Sequence, residues 1–213
     1  MPVRTILCYG DSNTHGTPPM PAPYSEGRLS KEERWPGVLQ ARLGSEWTVI
    51  EEGLPGRTTV HDDPIEGAHK NGLAYLKPCL ESHRPIDVLI IMLGTNDLKG
   101  RFAVPAADIG WSMVALCETA LACAAGPGGG APKLVLVAPV PILETGFLGE
   151  IFVGGAEKSL RLAGHYRAVA EQYGGVCIDA GAVARVSPLD GIHFEAEQHR
   201  LIGEAVAKTV LAL

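Results

Sequence analysis

The amino-acid sequence predicts an α/β protein: a flavodoxin-like three-layer α/β/α sandwich around a five-stranded parallel sheet in the order 2-1-3-4-5. Short apolar runs rich in β-branched residues alternate with longer segments of helical character along the whole chain. The most apolar run, DVLIIML at 87–93, carries no polar alternation, as a strand covered on both faces requires. A length of 213 residues suits one domain spanning 1–213 and one core.

In order, the first strand is expected at 5–9 (TILCY), ended by Gly10. Residues 14–33 hold four prolines and several small polar residues, so a long irregular excursion precedes a helix at about 34–43. Excursions of that length often serve function. A second strand is expected at 47–51 (WTVIE), a helix at 72–83, the third strand at 87–93 and a helix at 106–125. The glycine-rich connector AGPGGGAP then leads into a fourth strand at 133–138 (KLVLVA). A Pro- and Gly-bearing stretch at 139–155 precedes a helix at about 156–173, a fifth strand at 175–179 and a last helix at about 196–211.

Composition excludes several classes. Hydrophobic residues make up 46% and charged residues 20%, with 26 glycines and 16 prolines, so the chain can fill a core while turning often. The net charge of −6 is spread along the chain and offers no footprint for a phosphate backbone, so nucleic acid is not an expected partner. The five cysteines (Cys8, Cys79, Cys117, Cys123, Cys177) form no CxxC pair and are odd in number, which points to reduced, mostly buried thiols. No stretch reaches the ~20 apolar residues of a membrane span, and the N-terminus lacks a signal-peptide pattern, so a cytoplasmic protein without membrane contact is expected.

The strand ends carry the chemistry-bearing residues. Strand one runs into Gly10-Asp11-Ser12-Asn13-Thr14-His15-Gly16, where a sharp turn at glycine presents Ser12 as a nucleophile. Strand two is followed by Gly53-Leu54-Pro55-Gly56-Arg57-Thr58; Gly56, or Gly53 in its place, can offer an unobstructed N–H. Strand three ends in Gly94-Thr95-Asn96-Asp97, and the Asn96 amide brings two N–H donors. Near the C-terminus, Asp190-Gly191-Ile192-His193 sets a carboxylate three residues before an imidazole. Ester cleavage through an acyl-enzyme needs a hydroxyl, a base, a carboxylate to hold the base and donors for the developing oxyanion.

The separation of Ser12 and His193 can be bridged. Strands one and five are three spacings apart in this order, roughly 14 Å. The segment from Ala180 to Asp190 reaches at most about 33–36 Å when extended. Other readings of single residues are structural: Gly-Asp-Ser alone is a turn, Asp190 a turn carboxylate, His193 a loop histidine and Asn96 a helix cap. The order of four blocks carries the specificity.

These four blocks resemble those of the SGNH hydrolases, the GDSL esterase family. Ser12, Gly56, Asn96 and His193 match its four letters, and Asp190 the aspartate of its DxxH block. The longer runs EEGLPGRTTVHDDP, DVLIIMLGTND and DGIHF are similar to its bacterial arylesterase and acyltransferase branch. The resemblance implies a triad of Ser12, His193 and Asp190, an oxyanion hole from Ser12, Gly56 and Asn96, a small ester as substrate, water or an alcohol as acyl acceptor, no metal or cofactor, and a homo-oligomer. Asn13 stands where the first block usually has leucine, and His15 where the branch usually has tryptophan, so both are candidate substrate-binding residues. A carbohydrate deacetylase or acyltransferase with the same residues is the neighbouring reading, and a binding module without turnover the remote one.

Other residues are expected to be structural. Glu51 and Glu52 point to opposite faces of a strand. His61, Asp62 and Asp63 lack zinc-ligand spacing. Trp35 and Trp111 are expected to pack, the run at 128–130 lacks a phosphate-loop pattern, and Asp11 and Asp97 are expected to hold the strand-end loops.

Overall fold

A computed structural model describes residues 3–213. Five strands, β1 (Arg4–Gly10), β2 (Trp47–Gly53), β3 (Val88–Met92), β4 (Lys133–Ala138) and β5 (Val176–Asp179), form one sheet in the order β2-β1-β3-β4-β5. Every pairing is parallel. Strands β1 and β2 run longer than local sequence suggests because Arg4 pairs with Trp47 and Gly10 with Gly53, a register that only the partner strand supplies.

Alternation along the strands sorts the side chains into two apolar layers. Leu7, Tyr9, Leu89 and Ile91 face the layer filled from α3 (Gly72–His83), α4 (Ala106–Ala122) and α5 (Gly155–Gln172). Ile6, Cys8, Val88 and Ile90 face the opposite layer, filled by Trp35 and Leu39 of α2 (Trp35–Leu43) and by Ile202, Val206 and Val210 of α6 (Ala196–Leu211). The three-layer sandwich therefore holds an apolar cluster on each face of its sheet. Glu51 and Glu52 follow the same alternation: Glu51 pairs with Arg34 at 2.7 Å and Glu52 with His83 at 2.9 Å.

Three local expectations change. A one-turn helix, α1 (Ser12–His15), stands at the start of the segment expected to be irregular. It is built by capping, which leaves no hydrophobic period to read in four residues. Helix α4 ends at Ala122, and Ala124 takes a left-handed φ of 50° ahead of the glycine-rich turn. Trp111, expected to pack, is 70% exposed on α4; its indole falls on the outer side of a helix that buries Ile109, Gly110, Ser112 and Met113. Cys8, Cys79 and Cys117 are buried and all five thiols are free. Among the described residues, no helix is long and apolar enough to cross a membrane.

Candidate active site

The sheet order reverses between β1 and β3, so a crevice opens beyond their C-terminal ends. Gly10 closes β1 against its neighbour: a side chain there would meet the Met92 carbonyl oxygen at 2.8 Å as well as Thr14. Asp11 then caps α1, its Oδ1 accepting the Asn13 N–H at 2.9 Å. Ser12 is thereby fixed as the first residue of α1, where free N–H groups and the helix dipole favour negative charge.

Ser12 Oγ lies 3.1 Å from His193 Nε2, and His193 Nδ1 lies 2.7 Å from Asp190 Oδ2. All three side chains are buried. Asp190 is held by more than its imidazole: Oδ1 accepts the N–H groups of Ile192 and His193, each at 3.0 Å, and Oδ2 accepts the Met20 N–H at 2.8 Å. Burial alone would push this carboxyl up; the His193 hydrogen bond and charge and the backbone N–H groups outweigh it and hold Asp190 at about 2. It is ionised at neutral pH and fixes the imidazole orientation. With Nδ1–H donated to Asp190, Nε2 is left as the acceptor for the serine proton.

Beyond β2, Leu54 N–H donates to the Gly10 carbonyl at 3.0 Å, and Gly56 takes a φ of 81° in the turn that follows. Arg57 bolts this loop to the sheet, donating to the Gly10 carbonyl at 2.9 Å and lying over the Tyr9 ring at 4.2 Å. Asn96 Nδ2 donates to the Arg57 carbonyl at 3.1 Å, which orients the amide and leaves its second N–H available. Asp97 ties the same two loops together by accepting the Thr59 N–H and hydroxyl. Ser12, Gly56, Asn96 and His193 share one cavity of about 200 Å³. Gly53, the alternative donor, is absent from that lining; a side chain there would collide with the His15 backbone.

Asn13 and His15 lie elsewhere. Asn13 is buried and its Nδ2 donates to the Ile192 carbonyl at 3.1 Å, tying α1 to the loop of His193. His15 Nδ1 lies 3.3 Å from Thr17 Oγ1, and burial together with Arg28 and Arg34 lowers its pKa. Neither is among the cavity-lining residues. A single turn of helix carries only Ser12 of these three to the wall, because successive side chains point about 100° apart.

The lining also includes residues that sequence reasoning did not single out: Thr17 and Met20 from the excursion, Leu148, Ile151 and Phe152 from the β4–α5 connection, and Glu66 and Lys99. Irregular backbone places all of them, so no period or motif marks them. Asp63 is buried in an ion pair with Arg101 at 3.0 Å, Asp62 accepts from Asn71, and His61 stacks on Phe102. The donor atoms of Glu52, Cys79 and His83 lie within 4.8 Å of one another, but none of these residues lines the Ser12 cavity. Roomier depressions, about 470 Å³ beside Tyr75 and about 780 Å³ between β5 and α6, lack a paired nucleophile and base among their lining residues.

The sequence profile of the GDSL-like lipase/acylhydrolase family matches residues 8–201. The chain belongs to that family. Among solved structures, this family member is similar to the M. smegmatis aryl esterase, with 41% identity, 99% of each chain covered and a TM-score of 0.93. It is also similar to a carbohydrate acetylesterase from Sinorhizobium meliloti, with 42% identity, 98% of this chain and 99% of that chain covered, and a TM-score of 0.93. No curated protein matches the chain. The GDSL family assignment and these neighbours make the protein a carboxylic ester hydrolase with the SGNH α/β fold.

Proposed function

We propose that this esterase cleaves short-chain carboxylic esters through an acyl-enzyme on Ser12. His193 takes the Ser12 proton as Oγ attacks the ester carbonyl, and Asp190 stabilises the imidazolium that results. The oxyanion is received by the N–H groups of Ser12 and Gly56 and by the free N–H of Asn96. The tetrahedral intermediate collapses as His193 gives the proton to the departing alcohol. Water, or a second alcohol, then gives a proton to His193 as it attacks the acyl carbonyl. The second tetrahedral intermediate breaks its bond to Ser12 Oγ, which takes the proton back from His193 as the acid or the new ester leaves. Neither a metal nor a cofactor takes part in these steps.

The observation that carries this reading is the continuous hydrogen-bonded line from Ser12 Oγ through both imidazole nitrogens to Asp190. A cavity of about 200 Å³ supports small substrates, because drug-sized ligands occupy roughly 300–1,000 Å³. Ser12→Ala should lower turnover of phenyl acetate by about 10⁶-fold, and an organophosphonate should label the wild type but not the variant. Equal turnover in both would end the proposal. The similarity to a carbohydrate acetylesterase favours a second reading, O-deacetylation of sugars or acyl transfer to them by the same residues.

A further inference from the structure

Resting on the Ser12 esterase reading, a second feature of the cavity narrows its substrate. Glu66 and Lys99 lie in the wall that also holds Gly56 and Asn96. The Lys99 side chain is 6% exposed, and its ammonium donates to Glu66 Oε1 and lies 3.7 Å from Asp63 Oδ2. Arg101 pairs with Asp63 at 3.0 Å and lies 3.7 Å from Glu66 Oε1. Lys99 and Arg101, both also paired with Asp63, thus hold Oε1 of the Glu66 carboxylate. Its other oxygen, Oε2, has no hydrogen-bond partner among the described residues and faces Gly56, where an added side chain would collide with it. A partly exposed carboxylate oxygen, free to accept, therefore lies beside Gly56 in the cavity lining.

We infer that Glu66 Oε2 is a hydroxyl-binding subsite, and that the preferred substrates are neutral esters whose alcohol portion carries free hydroxyl groups, as in partly acetylated sugars or glycerol. Glu66 is solvent-facing, and a hydroxyl on the alcohol portion can donate to its free oxygen in place of water, which a plain alkyl or aryl group cannot do. Lys99 and Arg101 balance the charges of Asp63 and Glu66, so neither an anionic nor a cationic substrate gains there. Leu148, Ile151, Phe152 and Ile192 give the same cavity apolar lining that suits a short acyl chain.

Matched esters test this: glycerol monoacetate and propyl acetate differ in hydroxyls and little in size, and phenyl acetate reports the Ser12 chemistry. A hydrogen bond to a charged group carries roughly 10- to 100-fold in binding. The wild type should favour glycerol monoacetate over propyl acetate by about that ratio in kcat/KM. Glu66→Leu should bring the ratio close to one through a raised KM for glycerol monoacetate, and Glu66→Gln, which keeps an acceptor oxygen, should restore part of it. A monoacetylated hexose run beside glycerol monoacetate tells which polyol is preferred. The inference is overturned if the wild type shows no preference, or if Glu66→Leu lowers kcat on all esters in parallel with the ratio preserved. Phenyl acetate cleavage by the wild type and its loss in Ser12→Ala keep the esterase reading intact in either case. If Glu66→Leu does not fold, the wild-type ratio and the Gln variant decide.

Discussion

Ser12 and Asn96 owe their usefulness to groups that hold them. The Asn96 amide spends one N–H on the Arg57 carbonyl, which leaves the other for the oxyanion of the proposed mechanism. Asn96→Ala should lower kcat on phenyl acetate by ~10²–10³ with little change in KM, measured by steady-state kinetics. Asp11 is a different case: burial pushes its carboxyl up to about 6, although the Asn13 N–H and the charge of His193 pull it down. Its Oδ2 is buried without a hydrogen-bond partner among the described residues. A proton held more tightly in the folded state contributes stability that is full below 3.8 and is lost as pH rises through about 6. Asp11→Asn keeps an acceptor for the cap and removes this loss. Urea denaturation across that interval should therefore show the variant gaining stability with pH more steeply than the wild type.

Helices α2 and α6 meet at His199, which is buried and whose Nδ1 accepts the Trp35 N–H at 3.3 Å. Burial, then the charges of His193 and Arg34, lower its pKa from 6.5 to about 4. The sign is opposite to that of Asp11. Stability is full above 6.5 and is lost as pH falls through about 4, since the unfolded chain takes up the proton first. His199→Gln retains an acceptor and does not titrate, so its stability should fall less than that of the wild type on acidification over the same interval. Unfolding curves in which His199→Gln and Asp11→Asn shift the slope in the same direction would contradict whichever assignment predicts the opposite sign. Element boundaries depend on such contacts too: α1 exists because Asp11 caps it and Gly16 ends it with φ 87°.

At the level of the whole molecule, Trp111 and Leu160, each 70% exposed, leave apolar surface on α4 and α5. Single exposed apolar residues are common on monomers, yet aromatic residues are enriched where chains associate. Association of identical chains, which the family resemblance implies, should give a light-scattering mass that is an integral multiple of the chain mass, and Trp111→Glu should lower it. A monomeric mass for the wild type would exclude this.

Much of the architecture was legible in the chain alone. Continuous apolar runs such as VLIIM can persist only between two covering layers, and the spacing of strands and helices then leaves few topologies. The four blocks were legible because reacting groups need particular residue types after particular strands. The cavity wall was not. Glu66, Lys99, Met20 and Phe152 come from irregular segments distant in sequence, and Asn13, next to the nucleophile, turns to the Ile192 carbonyl instead of the cavity. Local periodicity carries the strands and helices because their hydrogen bonds repeat along the chain. Which loop residues surround a substrate depends on contacts between segments far apart, and those exist only once the chain has folded.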